Sequence, residues 1–241
     1  MMQSEKKITK NNVIDILKRF AKEYRKELGK VPGEIVIVGG GSIMLNYSFR
    51  DATQDLDVIL RTTSDIEGVI NKFADDNNLP SDWMNTSFTK TESYSHILPE
   101  ISQHCCTLNN GTLEIRTVSG VYLIAMKLRA HREYRNDISD AIGILKEERS
   151  IGNIISISDI KSAYSKLYQS QMPEELVDKM APLCVMSCEE LDAHYKERIE
   201  SENNIGEIIT KYRNESLNLN SRNVNEVIAK IKKKMNRDNN Q

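Results

Sequence analysis

Two aspartates alternate inside the apolar run "DLDVIL", Asp55 to Leu60, and they follow three consecutive glycines, Gly39 to Gly41, and Ser42. Residues two apart on a strand point to the same face, so Asp55 and Asp57 project together while Leu56 and Val58 turn into the core. Their Cα atoms should lie roughly 6.6 Å apart. At an effective dielectric near 20, two such charges repel by about 2.5 kcal/mol. A cation relieves that repulsion. Hard divalent ions take carboxylate oxygens, and magnesium prefers one or two of them plus phosphate and water. The glycines offer the complement, because a backbone without Cβ can take a positive φ and approach a ligand closely. Free N–H groups at the start of a helix near Ser42 would face a phosphate, helped by the helix dipole. Ser42 adds a hydroxyl. A nucleoside triphosphate on the glycine turn and Mg2+ or Mn2+ on Asp55 and Asp57 therefore form a coherent pair. That pair fits in-line attack of an acceptor hydroxyl on an α-phosphate, with pyrophosphate leaving. A GGG turn alone also serves a tight strand-to-helix connection. The spaced Asp-x-Asp on the next strand is what turns it into a candidate site.

Glu114 lies mid-strand in "TLEIRTV", with Leu113 and Ile115 facing the other way. It is the candidate third acid, for the metal or as base toward the acceptor hydroxyl. The competing reading is the solvated face of an edge strand. Lys127, His131 and Arg135 recur every four residues and share one side of a helix. That side suits triphosphate or a nucleic-acid acceptor, though an exposed lysine covering apolar neighbours explains Lys127 as well. Asp137 reads as a helix cap or ion-pair partner, and Asp140 as a partner for Arg135 or Lys127. Arg50 and Thr53 either position the acidic strand or touch phosphate. Trp83 fits a plug at a core edge, or a stacking platform for a base.

The elements that must position these residues follow from periodicity. A helix is expected over Asn12–Leu28, ended by Gly29, with apolar residues at helical spacing. "EIVIV" reads as a buried strand, and the glycines lead into a short helix from Ser42. "DLDVIL" is the second strand. Ser64 and Glu67 form a capping box for a helix reaching Asn77. A less ordered stretch runs to Asn110, where "NNG" marks a turn before the third strand, "TLEIRTV". Ser119 caps the helix "VYLIAMKLRAHREYR", and Asp137 begins the next. Beyond Gly152, helical segments are expected to start near Ser158, Glu174, Glu189, Ile205 and Val224.

The order of elements predicts an α/β (α+β) core, a small mixed sheet flanked by helices, followed by an all-α C-terminal region. The expected division is 1–150 for the core and 151–241 for the helical appendage. The chain has 241 residues, a net charge of −2, 39% hydrophobic and 28% charged residues. That composition suits a globular protein and excludes a generic nucleic-acid binder, so any basic surface is local. No apolar run is long enough to span a membrane. The polar N-terminus shows no apolar signal region, and the expected compartment is cytoplasmic. Cys105, Cys106, Cys184 and Cys188 match no zinc or redox spacing and read as free thiols. The C-terminal "VNEVIAKIKKKMNR" is amphipathic and lysine-rich, suited to docking on its own domain or to gripping an acidic partner.

"GGGS" followed by "DLD" resembles the signature of the nucleotidyltransferase superfamily, the polymerase-β-like fold. "GGGSIMLNYSFRDATQDLDVI", "LPSDWMN" and "LIAMKLRAHREYRNDISDAIGIL" are similar to a bacterial branch near the AbiEii-type toxin nucleotidyltransferases. The resemblance covers roughly Ile35 to Leu145. It implies that Gly40, Gly41 and Ser42 hold the triphosphate, that Asp55 and Asp57 bind the metal, and that Lys127 contacts phosphate. It also implies NMP transfer to a hydroxyl of RNA, such as a tRNA end, or of a protein, with a toxin or phage-defence role and a possible antitoxin partner. At the third acid the chain departs from the pattern, offering Glu114 where an aspartate is usual. Two other functions compete: a nucleotide- or RNA-binding module of the same fold with weakened turnover, and an antibiotic nucleotidyltransferase.

Overall fold

The computed structural model describes residues 7–63, 65–130, 132, 136–211 and 230. The chain clusters into two compact units, and the boundary is not a single cut: residues 1–126 and 158–172 form one, residues 127–157 and 173–241 the other.

The first unit is built on a five-stranded mixed sheet. Its strands are β2 (Gly33–Ile37), β4 (Leu56–Thr62), β5 (Met84–Asn85), β6 (Gln103–Leu108) and β7 (Leu113–Thr117), in the order β5-β4-β2-β7-β6. β2 runs antiparallel to β4 and parallel to β7, with Ile37 opposite Val58 and Glu34 opposite both Arg61 and Glu114. A small ladder joins β1 (Ile8–Thr9) to β3 (Ala52–Thr53).

Alternation sorts the sheet into two faces. Ile35, Ile37, Leu56, Val58, Leu113 and Ile115 point to one face and join a core cluster with Leu17 and Phe20 of α1 (Val13–Leu28) and Phe73 of α3 (Glu67–Asn77). Trp83 belongs to this cluster. It is fully buried, its ring meets Phe20 and Phe73, and its Nε1 donates to Ile70 O at 3.3 Å. The reading as a core plug holds, and the ring is closed to stacking on a base.

Helix α1 and the strands β2, β4 and β7 lie where the periodicity puts them, within about two residues. The capping box at Ser64 and Glu67 falls on Ser64, outside the described residues, and Asp65 Oδ1 accepts the Glu67 N–H at 3.1 Å. The stretch before Asn110 is more ordered than expected. It holds a 3-10 turn at Ser87–Lys90, α4 (Leu98–Ile101) and the whole of β6. β6 hides in the sequence because its residues, QHCCTL, are polar or small and a bulge between His104 and Cys106 breaks their alternation. The "NNG" turn is present, with positive φ at Asn109, Asn110 and Gly111.

Helix α7 (Ile157–Tyr168) lies beyond the expected boundary at 150 yet packs in the first unit: Ser95 Oγ donates to Leu167 O at 2.6 Å, and Tyr168 OH to Ser93 O at 3.0 Å. In the second unit, α6 (Asp137–Ser150) and α9 (Cys188–Lys211) are the long helices, with α8 (Glu174–Met180) between them in sequence. α9 runs through the start expected near Ile205, so one helix stands where two segments were read. α5 (Gly120–Ala130) carries the chain from the first unit into the second. His131, Arg135 and, apart from Lys230, the lysine-rich segment from Val224 lie outside the described residues. Among the described residues no helix is long and apolar enough to cross a membrane.

Candidate active site

The short helix α2 (Gly39–Asn46) begins at the first glycine, three residues before the expected start, directly after β2. Its first intrahelical bond is Ser42 N–H to Val38 O at 3.3 Å, so the amides of Gly39, Gly40 and Gly41 have no acceptor within the helix. They stand at the helix start where the sequence reading put the candidate cradle.

The three glycines differ in function. Gly39 has φ +57°, and a Cβ there would stand 3.5 Å from Asp57 Oδ2. Gly40 lies under the Arg50 guanidinium, where a Cβ would come within 2.8 Å of Nη2. Gly41 faces inward, and a Cβ would collide with Leu56 Cδ2 at 2.8 Å and Ile37 Cγ2 at 2.9 Å. Gly39 and Gly40 therefore open the backbone to charged side chains, while Gly41 lets α2 pack against the sheet.

The cradle and the acidic strand are joined directly, because Val38 N–H donates to Asp57 O at 2.9 Å. Asp57 belongs to β4, and Asp55 stands just ahead of it. Thr53 Oγ1 donates to Asp55 O at 2.9 Å, giving this residue the positioning role foreseen for it. Asn85, opposite Asp57 in the parallel β4–β5 ladder, donates its Nδ2 to Asp55 Oδ2 at 3.0 Å. The same amide is fixed by Asp82 O at 3.1 Å and by the Ser87 N–H on its Oδ1 at 2.9 Å. Asn85 thus orients one carboxylate and stands beside the other. Spacing gives no hint of this, since the partnership exists only once β5 pairs with β4.

Ser42 is brought next to the cradle but turned away from any ligand. It is fully buried, its hydroxyl accepts the Val118 N–H at 2.9 Å, and its Oγ lies 3.3 Å from Val118 O. The expected phosphate contact from this hydroxyl is replaced by a tie between α2 and the end of β7. Burial explains the change, because an enclosed hydroxyl must find partners inside the protein.

Glu114 lies on the same sheet face as Asp57 but not at its position. Its register partner Glu34 sits opposite Arg61, four residues along β4 from Asp57, or roughly 13 Å of strand. There Glu114 Oε1 accepts Arg116 Nη1 at 2.7 Å, and Arg116 also reaches Glu34 and Ser102. The expectation of a third acid at the site is corrected to an ion pair within the sheet.

Lys127 belongs to the second unit, where it lies 3.0 Å from Asp137 and 2.8 Å from Asp140. Asp137 is fully buried and also takes Arg132 at 3.0 Å. Burial pushes the Asp137 carboxyl up, but Lys127 and Arg132 outweigh it and hold the group below its ordinary value. Here the sequence reading of Asp137 and Asp140 as ion-pair partners holds, and the lysine expected on phosphate is held by two carboxylates. The four cysteines are free thiols, as read.

A sequence-family match covers residues 15–179, and the family is described as "Nucleotidyltransferase of unknown function (DUF6036)". The chain belongs to this family. The match spans the glycine turn, Asp55, Asp57 and the Lys127 cluster, and its name agrees with the superfamily resemblance carried by "GGGS" and "DLD". The mixed sheet flanked by helices is the architecture expected of such a protein. The chain matches no curated protein and no solved structure.

Proposed function

We propose that this nucleotidyltransferase-family protein transfers NMP from an NTP to a hydroxyl acceptor, with the end of α2 as triphosphate cradle and Asp55 and Asp57 as metal ligands. The observation that carries the reading is the meeting of three chemistries at Gly39 and Gly40: unpaired helix amides, the Arg50 guanidinium, and the Asp57 carboxylate 3.5 Å from where a Gly39 Cβ would stand.

The donor set suits magnesium or manganese. Two adjacent carboxylates supply hard oxygen ligands, and such ions complete their shell with phosphate and water rather than with a protein cage. Among the described residues no three acidic, histidine or cysteine side chains converge, so the aspartates would act as a pair. When bound there, the ion would neutralise phosphate charge and polarise the reacting phosphoryl group.

The chain's own residues do the rest. The amides of Gly39 to Gly41 bind anionic oxygens through their N–H groups and the helix dipole. Arg50 adds a cation over Gly40, able to bind two phosphate oxygens at once. Asn85 and Thr53 hold Asp55 in place, and Gly41 and Ser42 seat α2 on the sheet. An RNA end or a protein hydroxyl is the acceptor proposed, and the AbiEii-type resemblance extends the proposal to a toxin or phage-defence role with an antitoxin partner.

One observation favours a second reading. Glu114 is tied to Arg116 away from the aspartates, so the acceptor hydroxyl has no obvious third carboxylate as base. A module that binds nucleotide without turnover accounts for that. The deciding test is incubation with each labelled NTP, Mg2+ and total RNA or cell protein, comparing wild type with Asp55→Ala plus Asp57→Ala. Label transferred by the wild type alone supports catalysis. Nucleotide binding with no transfer to any acceptor supports the module.

A further inference from the structure

Away from the acid pair, α1 and the turn after β6 enclose a cleft of about 190 Å³ lined by Asp15, Lys18, Arg19, Lys22, Leu108 and Asn109. It is distinct from the cradle, because α1 packs on the sheet face carrying Leu56 and Val58, while Asp57 alternates to the other.

The cleft gathers three cations against one carboxylate, in a chain whose net charge is −2. The carboxylate offsets at most one of them, as an ion pair with Arg19. Asp15 Oδ2 is 3.7 Å from Arg19 Nε, too long for a hydrogen bond. Lys18 and Lys22, one helical turn apart and exposed, make no ion pair with another described residue. By contrast, Lys26 of this helix and Lys72 of α3 are matched, sharing Glu23 and Glu27. Arg19 gives Nη1 to Asn77 Oδ1 at 2.5 Å, while its Nε and Nη2 are buried with no acceptor among the described residues. Buried guanidinium N–H groups almost always have a partner.

The walls are preformed. Asn109 Nδ2 donates to Ala21 O at 2.8 Å, and Arg25 Nη1 donates to Asn109 O at 3.3 Å, pinning the turn to the helix. Two exposed lysines without ion-pair partners among the described residues and an arginine with N–H groups lacking acceptors, around a half-polar concavity, suit a tetrahedral oxyanion.

We infer that the cleft formed by Lys18, Arg19 and Lys22 of α1 and the Asn109 turn binds a phosphate group, with a polynucleotide backbone as the favoured carrier. Three cations along one helix edge exceed what a single phosphate needs, which favours a chain of phosphates over one. The cleft does not require the transfer chemistry to be correct. It would anchor nucleic acid on the far side of the sheet from the acid pair.

The test uses the full chain without NTP or divalent metal, so its result is independent of nucleotide transfer. Fluorescence anisotropy with a fluorescein-labelled 20-nucleotide RNA is read across salt concentrations, and calorimetry follows inorganic phosphate. Lys18→Glu plus Lys22→Glu is compared with Lys90→Glu plus Lys161→Glu, a control of equal charge change at exposed sites outside the cleft, with circular dichroism confirming the fold of both. Loss of RNA affinity of tenfold or more in the first variant alone, with the salt slope reduced by about 1.4, supports a polynucleotide site. Loss of inorganic phosphate binding in that variant, with RNA unaffected, supports the cleft as a site for free phosphate compounds. Equal losses in both variants, no loss in the first, or no binding of either probe by the wild type overturns the inference.

Discussion

The sheet face opposite α1 carries acids at both ends, and the two ends are balanced in different ways. At one end, Asp57 stands beside the bare backbone of Gly39, with Asn85 opposite and Arg50 over the next glycine. At the other, Glu34 and Glu114 are interleaved with Arg61 and Arg116 on neighbouring strands. The second end is a closed lattice in which each acid has a cation on an adjacent or nearby strand position. The first stands beside helix-start N–H groups that have no acceptor within the helix and beside the Arg50 guanidinium. Acids on one sheet face thus take different neighbours according to which element arrives beside them, not according to their own type.

The sharpest way to break this contrast is to neutralise one acid at each end. Asp57→Asn should lower nucleotide transfer by on the order of 10³-fold, the scale of losing a group that stabilises transition-state charge. Glu114→Gln should leave transfer within about twofold. A comparable loss in both would restore Glu114 to the site.

The Lys127 cluster extends the comparison to a buried setting. Removing the cation in Lys127→Met leaves Asp137 to Arg132 and takes a buried ion pair from Asp140, and should cost about 3–5 kcal/mol, lowering Tm by on the order of 10 °C. The pH dependence should flatten as well. In the wild type, Lys127 and Arg132 hold the Asp137 carboxyl below its ordinary value despite burial. Its stabilisation is present above the unfolded carboxylate range and is lost as pH falls through the depressed folded value. In Lys127→Met, Arg132 alone opposes burial, so the Asp137 carboxyl should move up toward its ordinary value, and the stability lost on acidification through the carboxylate range should shrink. Thermal melts across pH compare the two slopes.

Within the cradle, two neighbouring glycines should separate packing from binding. Gly41→Ala puts a methyl against Leu56 and Ile37, and should cost about 1–3 kcal/mol of stability, read by denaturant titration. Gly40→Ala meets only the movable Arg50 guanidinium. It should leave stability nearly unchanged and weaken NTP binding by on the order of tenfold, the scale of one charge-assisted hydrogen bond. The smallest effect returns to the closed end: Glu114→Gln should cost no more than about 1 kcal/mol, since that half-exposed pair is screened by solvent.

Much of this was legible beforehand because it rests on local rules. The helix of α1, the strands β2, β4 and β7 and the glycine turn follow from periodicity and backbone freedom. So does the shared face of Asp57 and Glu114, which alternation alone dictates. Register along that face is not local. The offset that puts Glu114 opposite Glu34 instead of near Asp57 is set by strand pairing. β6 escaped notice because its inward residues are cysteines and its pattern is bulged, while Asn85 gained its role from an edge strand of two residues. Lys127 was visible as a cation on a helix, but its partners lie on the following helix and pair with it only after the two pack.

By itself, the sequence determined that a glycine turn lies between two strands, that two acids two residues apart stand at the start of the next strand, and that apolar stripes exist to bury the elements around them. These are properties of neighbours in the chain, governed by backbone sterics and side-chain period. Only the tertiary structure decided which charges would be matched. Coulombic and hydrogen-bond partners come from whichever strand or helix arrives alongside, and at a spacing of a few ångströms that arrival determines which partner each acid meets.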